Sequence, residues 1–391
     1  MNILVAHNYY QQSGGEDQVF VDESNLLESY GHQVHRLTIH NDQISSTPRL
    51  ELLGKTIWNR DIYRKLRSLI QQHQIQVVHF HNTFPLISPA AYYAAKAAGA
   101  CVVQTLHNYR LFCLNALFLR DGNICEDCLG KPVPWSGVQH GCYRESTAAS
   151  AAVATMLTTH RLLQTWTQQV DAYIALTEFA RNKVIQGGLP AEKVFIKPNF
   201  VEPDPGMGTG QGGYALFVGR LSGEKGIDVL LEAWKKLGDK IPLKILGDGA
   251  LAPQVAEAVA QFCNIEWLGR RPMPEVYGFM RDAQFLIFPS KWYEGLPRTL
   301  IESFACGTPV IAANLGAMSS FVTPHKTGLH FQSGKADDLV TQVEWAIAHP
   351  EDLLRMRQNA RIEFEEKYTS SKSYQQLAQI YEQTFIQKTS S

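Results

Sequence analysis

The sequence predicts an α/β protein of two doubly wound domains that face a central cleft. Short apolar runs typical of buried strands alternate with helical patterns along the chain, as expected for parallel sheets covered by helices. The alternation stops once, in the glycine- and proline-rich segment PDPGMGTGQGG between Glu202 and Gly213, and then restarts. A chain of 391 residues has the usual length of two or three domains.

The first half contains six predicted strands and predicts a first domain over residues 1–200. The strands are residues 2–7, 32–39, 76–82, 101–108, 171–177 and 193–199. One predicted helix covers residues 17–30 and ends at Gly31, and an alanine-rich helix covers residues 89–98.

The second half repeats this plan after a linker at residues 201–213, and it predicts a second domain over residues 214–370. The predicted strands are residues 214–220, 242–249, 264–269, 283–290 and 309–313, and the first two helices are residues 226–237 and 251–263. Residues 351–388 have a helical pattern, and we expect residues 371–391 to cross back and pack on the first domain.

Composition narrows the classes of partner. The formal net charge is −1 and the pI is about 6.9, so no overall field favours nucleic acid, and an anionic ligand must be met by local cations. The first residues, MNILVAHNYY, read as a strand rather than a secretion signal, and no apolar run reaches the length of a membrane span. We expect a cytoplasmic protein, with peripheral contact at the inner face of the cell membrane as an option.

Two segments bear on that membrane contact. Residues 55–67, KTIWNRDIYRKLR, alternate basic and aromatic side chains, as in a helix that lies on an anionic membrane surface. The alternative is a solvated helix whose aromatic residues pack inward. The apolar residues 148–157 are too short to span a membrane and are expected in the core.

Seven cysteines are an odd number for a disulfide framework. Cys101, Cys263 and Cys306 stand among apolar or small residues and are expected to be buried. The remaining four have a C-x11-C-x2-C-x13-C spacing suited to structural zinc, with reduced thiols or a stress-induced disulfide as alternatives; they are Cys113, Cys125, Cys128 and Cys142.

Two glutamates eight positions apart, Glu294 and Glu302, are the clearest ligand-binding signal. Glu294 comes just after the predicted strand at residues 283–290, and the carboxyl edge of an open α/β sheet is where ligands bind. We expect Glu294 at the entry of a helix and Glu302 two turns into it, where the pair could hold a polyhydroxylated, phosphorylated ligand at two points.

Two loops are suited to phosphate. SGGEDQV, residues 13–19, places two glycines before a helix, which could let backbone N–H groups approach an anion; ordinary turn chemistry is the alternative. In GRLSGEKG, Arg220 follows a buried strand and Lys225 precedes a helix, a pair of cations suited to a diphosphate. The alternative there is a solvated turn in which Glu224 is the partner.

Four histidines lie in or near predicted strands: His7, His79, His81 and His107. His107 follows a buried run and is expected to reach a ligand and donate a hydrogen bond to an oxyanion or sugar hydroxyl. His79 and His81 share a strand face, where a core role and, for His81, ligand contact are the alternatives. A histidine metal site is an open alternative, although no carboxylate nearby in the sequence completes one.

Taken in order, several motifs resemble the retaining glycosyltransferases of family 4. They are GR-x4-K-G, LGDG, WLGR, E-x7-E, GTPVIAANLGA and TGLHF, with SGGEDQVF, TLHNY and KPNFVE in the first half. The resemblance runs through almost the whole chain and implies the GT-B fold of two Rossmann-like domains. It makes residues 1–200 the acceptor-side domain and residues 214–370 the nucleotide-sugar-binding domain. GLPRTLIESFACGTPVIA and the CEDC loop are similar to bacterial members that act on exopolysaccharide or lipopolysaccharide.

The resemblance also implies roles. Arg220 and Lys225 would bind the donor diphosphate, Glu302 the ribose hydroxyls and Glu294 the hydroxyls of the transferred sugar, while His107 would touch that sugar. The remaining donor-binding positions that it implies are Gly15, Gly247, Arg270, Gly295, Leu296, Pro297, Arg298 and Thr299. No divalent metal is implied, and the sequence has no D-x-D pair to hold one.

The implied reaction transfers a hexose-type sugar from a nucleoside diphosphate to a glycan or lipid-linked acceptor in cell-surface polysaccharide synthesis. No residue clearly offers a carboxylate behind the anomeric carbon, so front-face attack assisted by the leaving phosphate is expected. Ser303, Cys306 and Arg298 depart from the commoner pattern and leave the donor open. The alternatives are a GT-B sugar-nucleotide epimerase and an inactive nucleotide-sugar-binding protein; a dehydrogenase is disfavoured because the G-x-G-x-x-G fingerprint is missing.

Overall fold

A computed structural model describes residues 1–11 and 14–389, apart from the side chains of Gln387 and Thr389. Ser13 of the predicted phosphate loop and residues 390–391 of the predicted C-terminal helix lie outside the described residues.

The strands and helices alternate along the chain. The strands are β1 (Asn2–Tyr9), β2 (Gln33–His40), β3 (Val77–Asn82), β4 (Cys101–Leu106), β5 (Leu119–Arg120), β6 (Asn123–Ile124), β7 (Ala172–Ala175), β8 (Val194–Ile196), β9 (Ala215–Val218), β10 (Leu243–Leu246), β11 (Ile265–Gly269), β12 (Phe285–Phe288), β13 (Val310–Ala313) and β14 (Gly328–Phe331). The α-helices are α1 (Gly15–Ser29), α2 (Arg49–Ile57), α3 (Arg60–Gln72), α4 (Ala90–Ala97), α5 (Trp135–Gln139), α6 (Thr147–Leu162), α7 (Thr165–Gln168), α8 (Glu178–Gln186), α9 (Ile227–Leu237), α10 (Ala252–Gln261), α11 (Met273–Asp282), α12 (Arg298–Ala305), α13 (Met318–Phe321), α14 (Ala336–Ala348), α15 (Pro350–Lys367) and α16 (Ser370–Thr389).

The chain forms two compact units. The first comprises Met1–Phe118, Glu126–Pro198 and Ser373–Ser391, and the second comprises Leu119–Cys125 and Asn199–Lys372. Most of α16 therefore belongs to the first unit, far in sequence from its other elements. Each unit contains a six-stranded sheet whose strand pairs are all parallel.

The sheet of the first unit has the order β2-β1-β3-β4-β7-β8. The strand order reverses between β1 and β3: β2 lies on one side of β1, and β3, β4, β7 and β8 follow one another on the other side. The aliphatic side chains of β1, β3 and β4 are buried, as expected for a sheet covered on both faces. Leu377, Ile380 and Tyr381 of α16 complete this core by packing with Val5 and Val103.

The sheet of the second unit has the order β11-β10-β9-β12-β13-β14, with the corresponding reversal between β9 and β12. Its largest fully buried side chain is Trp234 of α9, whose indole N–H donates to the carbonyl of Ile241 at 3.0 Å. The doubly wound fold predicted from the sequence is confirmed in both units.

Three local predictions differ from the structure. The predicted helix over residues 55–67 is two helices, because Asn59 accepts hydrogen bonds from the backbone N–H groups of Asp61 and Ile62 and so caps a new helix, α3. The first strand continues past His7 to Tyr9. Glu302 lies only one turn into α12, because that helix begins after Pro297 rather than at Glu294.

The prediction for residues 148–157 is confirmed in part. They lie within α6, where Val153, Ala154, Met156 and Leu157 are buried. No helix in the part of the chain that the structure describes has both the length and the apolar composition of a membrane-crossing segment.

Candidate functional site

The predicted donor-binding residues of the second unit surround the point where its sheet reverses. β9 and β12 are neighbours there, and a crevice opens beyond their carboxyl ends because the connections leave in opposite directions. Arg220 and Lys225 follow β9, and Glu294 follows β12. The topology therefore brings residues about 70 positions apart in sequence to one edge of one sheet.

Lys225 and Glu294 form an ion pair between these two loops. Lys225 Nζ lies 2.6 Å from Glu294 Oε1, and the two side chains are 17% and 6% exposed. Ser290 Oγ donates to the same carboxylate oxygen at 2.5 Å. The carboxylate is thus held in one orientation before any ligand binds, and Ser290 is a site residue that the sequence analysis missed.

The loop after β9 is shaped by Gly226. This residue has a positive φ of 74°, and a Cβ atom there would lie 2.0 Å from the carbonyl oxygen of Pro289. The two loops are also joined by the backbone N–H of Lys291, which donates to the carbonyl of Glu224 at 2.8 Å. Glu224 accepts from Ser222 Oγ rather than pairing with Lys225, so the expected alternative for this loop is wrong.

The loop that leads into α12 contains most of the remaining predicted contacts. Gly295 and Leu296 are buried, and the carbonyl of Leu296 accepts from Asn199 Nδ2 at 2.8 Å. Pro297 has no N–H, so the backbone donors at the start of α12 come from Arg298 and Thr299. These groups carry the positive end of the helix dipole, which favours an anion at this position.

Glu302 points from the second turn of α12 and is buried. Its Oε1 lies 3.3 Å from Arg298 Nε, an ion pair between residues four apart on one helix face. Arg298 is only 11% exposed. The cation that departs from the family pattern is thus close to the carboxylate that the resemblance assigns to ribose.

Gly247 and Arg270 follow the next two strands, β10 and β11. Gly247 has a φ of 139°, and a Cβ atom there would lie 1.8 Å from the carbonyl oxygen of Gly219, so only glycine lets these strand ends approach. Its N–H donates to the carbonyl of Gly269 at 2.9 Å. Arg220 and Arg270 are both exposed.

In the first unit, the predicted phosphate loop has an acidic start. Asp17 accepts a hydrogen bond from the backbone N–H of Gly14 at 2.8 Å, and its other oxygen lies 2.7 Å from His7 Nε2. Gly15 is the first residue of α1, and a Cβ atom there would meet nothing within 4 Å. Because Glu16 and Asp17 occupy the first turn, their charges oppose an anion at this helix start.

Glu16 is a second site residue that the sequence analysis missed. Burial raises the pKa of its carboxyl to about 7, against hydrogen bonds from Tyr10 and Asn108 that favour the charged form. Its Oε1 atom is buried and has no hydrogen-bond partner among the described residues. The Arg110 guanidinium, which lies over the rings of Phe84 and Tyr143, also favours its charged form.

His79, His81 and His107 belong to one polar network in the first unit. Glu23 Oε1 lies 3.0 Å from His79 Nδ1 and 3.2 Å from His81 Nε2, so the expectation that no carboxylate lies near them is wrong. Glu23 was missed because it approaches from α1, a helix remote in sequence. His81 Nδ1 in turn lies 3.0 Å from His107 Nε2.

The cysteine predictions have mixed outcomes. Cys101 and Cys306 are buried as expected, but Cys263 is exposed because it follows the end of α10 at the surface. Of the proposed zinc ligands, Cys113 and Cys128 are buried, whereas Cys125 and Cys142 are half-buried.

Comparisons with known proteins give matches to both halves of the chain. The family model described as Glycosyltransferase Family 4 matches residues 13–205, and the model described as Glycosyl transferases group 1 matches residues 209–363. An uncharacterized glycosyltransferase of Methanocaldococcus jannaschii is 28% identical over 56% of this chain and 61% of its own length. The amylovoran biosynthesis glycosyltransferase AmsK of Erwinia amylovora is 26% identical over 55% of this chain and 56% of its own length. The chain thus spans less than two thirds of either relative.

Solved structures resemble the whole chain. The sucrose-phosphate synthase of Thermosynechococcus elongatus has a TM-score of 0.74 at 15% identity, covering 99% of this chain and 100% of that one. Anabaena HepE in complex with UDP has a TM-score of 0.69 at 16% identity, covering 97% of this chain and 99% of that one. At these identities the likeness shows the fold, which is GT-B. With family models matched across both halves, the chain belongs to glycosyltransferase family 4.

Proposed function

We propose that this protein is a retaining glycosyltransferase that moves a hexose-type sugar from a nucleoside diphosphate donor to a glycan or lipid-linked acceptor. The observation that supports it best is the Lys225–Glu294 ion pair, oriented by Ser290 at the reversal point of the second unit's sheet. A cation for phosphate and a carboxylate for sugar hydroxyls stand side by side there, as a nucleotide sugar requires.

The donor diphosphate is proposed to bind Arg220, Lys225 and the backbone N–H groups at the start of α12. Two side-chain cations and a helix dipole together offset the charge of a diphosphate, and they stabilise it further as it leaves. We therefore propose that no divalent metal is needed. Gly247 and Gly15 would let backbone approach the donor, and Arg270 would add a second exposed cation on the same sheet edge.

Glu294 and Glu302 are proposed to accept hydrogen bonds from the two ends of the donor. Glu302 would bind the ribose hydroxyls and Glu294 those of the transferred sugar, with His107 meeting the same sugar. Carboxylates are strong acceptors for hydroxyl groups, and each of these is already oriented by a cation at 2.6 Å or 3.3 Å.

The proposed reaction retains the configuration at the anomeric carbon. The acceptor oxygen forms a bond to the anomeric carbon on the face from which the phosphate departs, while the bond from that carbon to the phosphate oxygen breaks. The acceptor proton passes to the departing phosphate oxygen, so the products are a glycoside and a nucleoside diphosphate. Arg220 and Lys225 take up the negative charge that develops on the leaving group.

Cell-surface polysaccharide synthesis is proposed as the setting, because the relative AmsK is named for amylovoran biosynthesis and another for lipopolysaccharide N-acetylglucosamine transfer. Peripheral membrane contact is proposed through α3. Its exposed face carries Arg60, Arg64, Lys65 and Arg67. Beside it, Trp58 lies against Tyr93 and His160 and is still 36% exposed.

We propose structural zinc bound by four thiolates, those of Cys113, Cys125, Cys128 and Cys142. Packing around one of these thiols is tight: a Cβ atom at Gly137 would lie 3.3 Å from Cys128 Sγ and 2.7 Å from the side chain of Leu114. Four thiolates are a donor set that suits zinc, whose role there would be to hold the loop that contains them.

A ligand-stabilisation screen tests the proposal. Purified protein is heated with UDP, GDP, ADP and their sugar conjugates, with and without EDTA. We expect one nucleotide family to raise the unfolding temperature, because a ligand that binds the native state stabilises it, and we expect EDTA to leave the shift unchanged. Glu302→Ala should abolish the shift, whereas Glu224→Gln, in a neighbouring loop, should keep it. No shift with any nucleotide would contradict the proposal.

A further inference from the structure

A buried ion pair in the first unit joins α1 to the segment after β8, outside the residues assigned to the donor phosphates. Lys197 Nζ lies 2.6 Å from Glu23 Oε2, and the two side chains are 2% and 1% exposed. The other carboxylate oxygen faces His79 and His81, which are also completely or almost completely buried. Such a network is costly to bury unless each member has a partner, so its arrangement is well determined.

The spacing of this cluster resembles a metal site, but its contacts do not. One ligand-type atom from each of Glu23, His79 and His81 lies within 4.8 Å of the others. However, the Lys197 ammonium already balances the carboxylate charge and would repel a second cation. Both nitrogens of His79 also have hydroxyl partners at 2.8 Å, Tyr381 and Thr105.

The proton positions in the network follow from Glu23. Burial alone would raise the pKa of Glu23, but Lys197 and the two histidines hold it well below its ordinary value, so the group is a carboxylate that only accepts hydrogen bonds. His81 Nε2 is buried, and the acceptor that the structure places beside it is Glu23 Oε1 at 3.2 Å, an oxygen that also lies 3.0 Å from His79 Nδ1. The proton of His81 therefore lies on Nε2, facing the carboxylate.

The proton position of His81 determines the proton position of His107, because the two rings are in contact. Burial lowers the pKa of His81 to about 4 even beside Glu23, so its ring carries one proton and its Nδ1 is bare. The bare Nδ1 is 3.0 Å from His107 Nε2, which must then donate. Burial, with smaller contributions from His81 and His7, also holds the pKa of His107 well below its ordinary value. The neutral ring of His107 thus has its proton on Nε2 and a bare Nδ1.

We propose that Glu23, acting through His81, fixes His107 in the tautomer with an unprotonated Nδ1, so that His107 accepts a hydrogen bond from a ligand hydroxyl. This reverses the donor role expected for His107 from the sequence. Glu23 and His81 are positioning residues that touch His107 and not the ligand. That the ligand hydroxyl belongs to the transferred sugar rests on the proposed function.

An unprotonated Nδ1 of His107 requires a hydrogen-bond donor on the ligand. An unprotonated nitrogen binds a hydroxyl, which can donate, and does not bind a fluorine or methoxy group at the same position. A donor analogue that carries fluorine in place of the contacted hydroxyl should lose this bond. Scanning deoxyfluoro analogues of the donor sugar therefore identifies the contacted position as the one where affinity falls.

Glu23→Gln is designed to reverse the relay without changing its shape. Lys197 only donates, so the glutamine oxygen turns towards it and the amide N–H groups face His79 and His81. His81 Nε2 must then accept, its Nδ1 becomes protonated, and His107 Nε2 must accept in turn. The proton of His107 moves to Nδ1. Tyr381→Phe is the matched control, because it removes a hydroxyl from the same network beside His79 and leaves Glu23, His81 and His107 in place.

The first measurement is the tautomer itself, by long-range ¹H–¹⁵N correlation spectra of the full-length protein labelled at histidine nitrogens. We expect the parent and Tyr381→Phe to show His107 protonated at Nε2, and Glu23→Gln to show it protonated at Nδ1. Peaks are assigned with single substitutions of His81 and His107. Protonation of His107 at Nδ1 in the parent overturns the proposal, and this spectrum decides it even where Glu23→Gln does not fold.

The second measurement separates the relay from the donor reaction. In Glu23→Gln we expect the KM for the nucleotide sugar to rise about tenfold or more, which corresponds to the loss of about 1.4 kcal/mol. The Kd of the free nucleoside diphosphate should stay within twofold of the parent, as in Tyr381→Phe. Equal losses for both ligands would indicate general damage and overturn the positioning role. If no nucleotide sugar binds the parent protein, the proposed function fails while the tautomer result stands.

Discussion

Replacing Lys225 by methionine tests the central ion pair of the second unit. The substitution keeps the length of the side chain but removes its charge, which lies 2.6 Å from Glu294 Oε1. Glu294 stays bound to Ser290 Oγ at 2.5 Å, and Lys225 is 17% exposed, so the loss is smaller than the 3–5 kcal/mol typical of a broken buried pair. We expect the free energy of unfolding to fall by about 2 kcal/mol, the usual worth of a hydrogen bond to a charged group.

Two quantities follow from this estimate. For a domain of the size of the second unit, about 2 kcal/mol lowers the unfolding temperature by about 4–8 °C. Binding of a nucleoside diphosphate loses a cation and gains repulsion from the unpaired Glu294, so Kd should rise about 30-fold or more, equivalent to about 2 kcal/mol. Differential scanning calorimetry measures the first quantity, and isothermal titration calorimetry measures the second with the nucleotide that stabilises the parent protein.

Lys291 provides a matched control for Lys225. It lies in the loop after β12, pairs with Asp228 at 2.7 Å and is 18% exposed. Lys291→Met should cost less than about 1 kcal/mol, because its partner is exposed, and should leave Kd unchanged. The double variant Lys225→Met with Glu294→Gln should recover stability but not affinity. Normal nucleotide affinity in Lys225→Met would refute the phosphate role.

Three further predictions concern other parts of the protein. Gly226→Ala should destabilise the protein by several kcal/mol and abolish nucleotide binding, because its Cβ would lie 2.0 Å from Pro289 O; Gly223→Ala, with open space around it, should be nearly neutral in urea unfolding. Because burial raises the folded pKa of Glu16 from 4.5 to about 7, wild-type stability should fall as pH rises from 4.5 through 7. Glu16→Gln should lose that pH dependence and be more stable above pH 7 by on the order of 3 kcal/mol, since each pKa unit corresponds to about 1.4 kcal/mol. Urea unfolding would contradict this if the free energy of unfolding changed equally between pH 5 and pH 8 in both proteins. Elemental analysis should find one zinc per chain in the purified protein and none after alanine replaces both Cys125 and Cys128.

The sequence predicted best where function depends on the end of a strand. Buried apolar runs located β9 and β12, and their ends placed Lys225 and Glu294 on one sheet edge without any tertiary information. What it could not predict is that these side chains bind each other at 2.6 Å, because this distance depends on Gly226 and Pro289 bringing the two loops together.

The predictions from sequence were wrong where a side chain's contact lies on a helix remote in sequence. They were also wrong where a capping side chain sets the end of a helix. Glu23 reaches His81 from α1, and Lys197 reaches Glu23 from beyond β8, so neither was visible as part of a histidine cluster. Asn59 breaks residues 55–67 into two helices because its side chain competes with the helical backbone. Cys263 has small and apolar neighbours in sequence, but it follows a helix end that faces solvent.

Transfer of a sugar from a nucleoside diphosphate donor is the proposed activity on which the other roles depend. The most direct measurement follows the anomeric proton of the stabilising nucleotide sugar by ¹H NMR, with the parent protein and a lipid-linked glycan fraction as acceptor. We predict release of nucleoside diphosphate with a new glycosidic anomeric signal of the same configuration as the donor, and about 100-fold slower turnover in Glu294→Gln. Isomerisation of the donor without acceptor would indicate an epimerase, and a bound but unchanged donor would indicate a binding protein; either result would contradict the account.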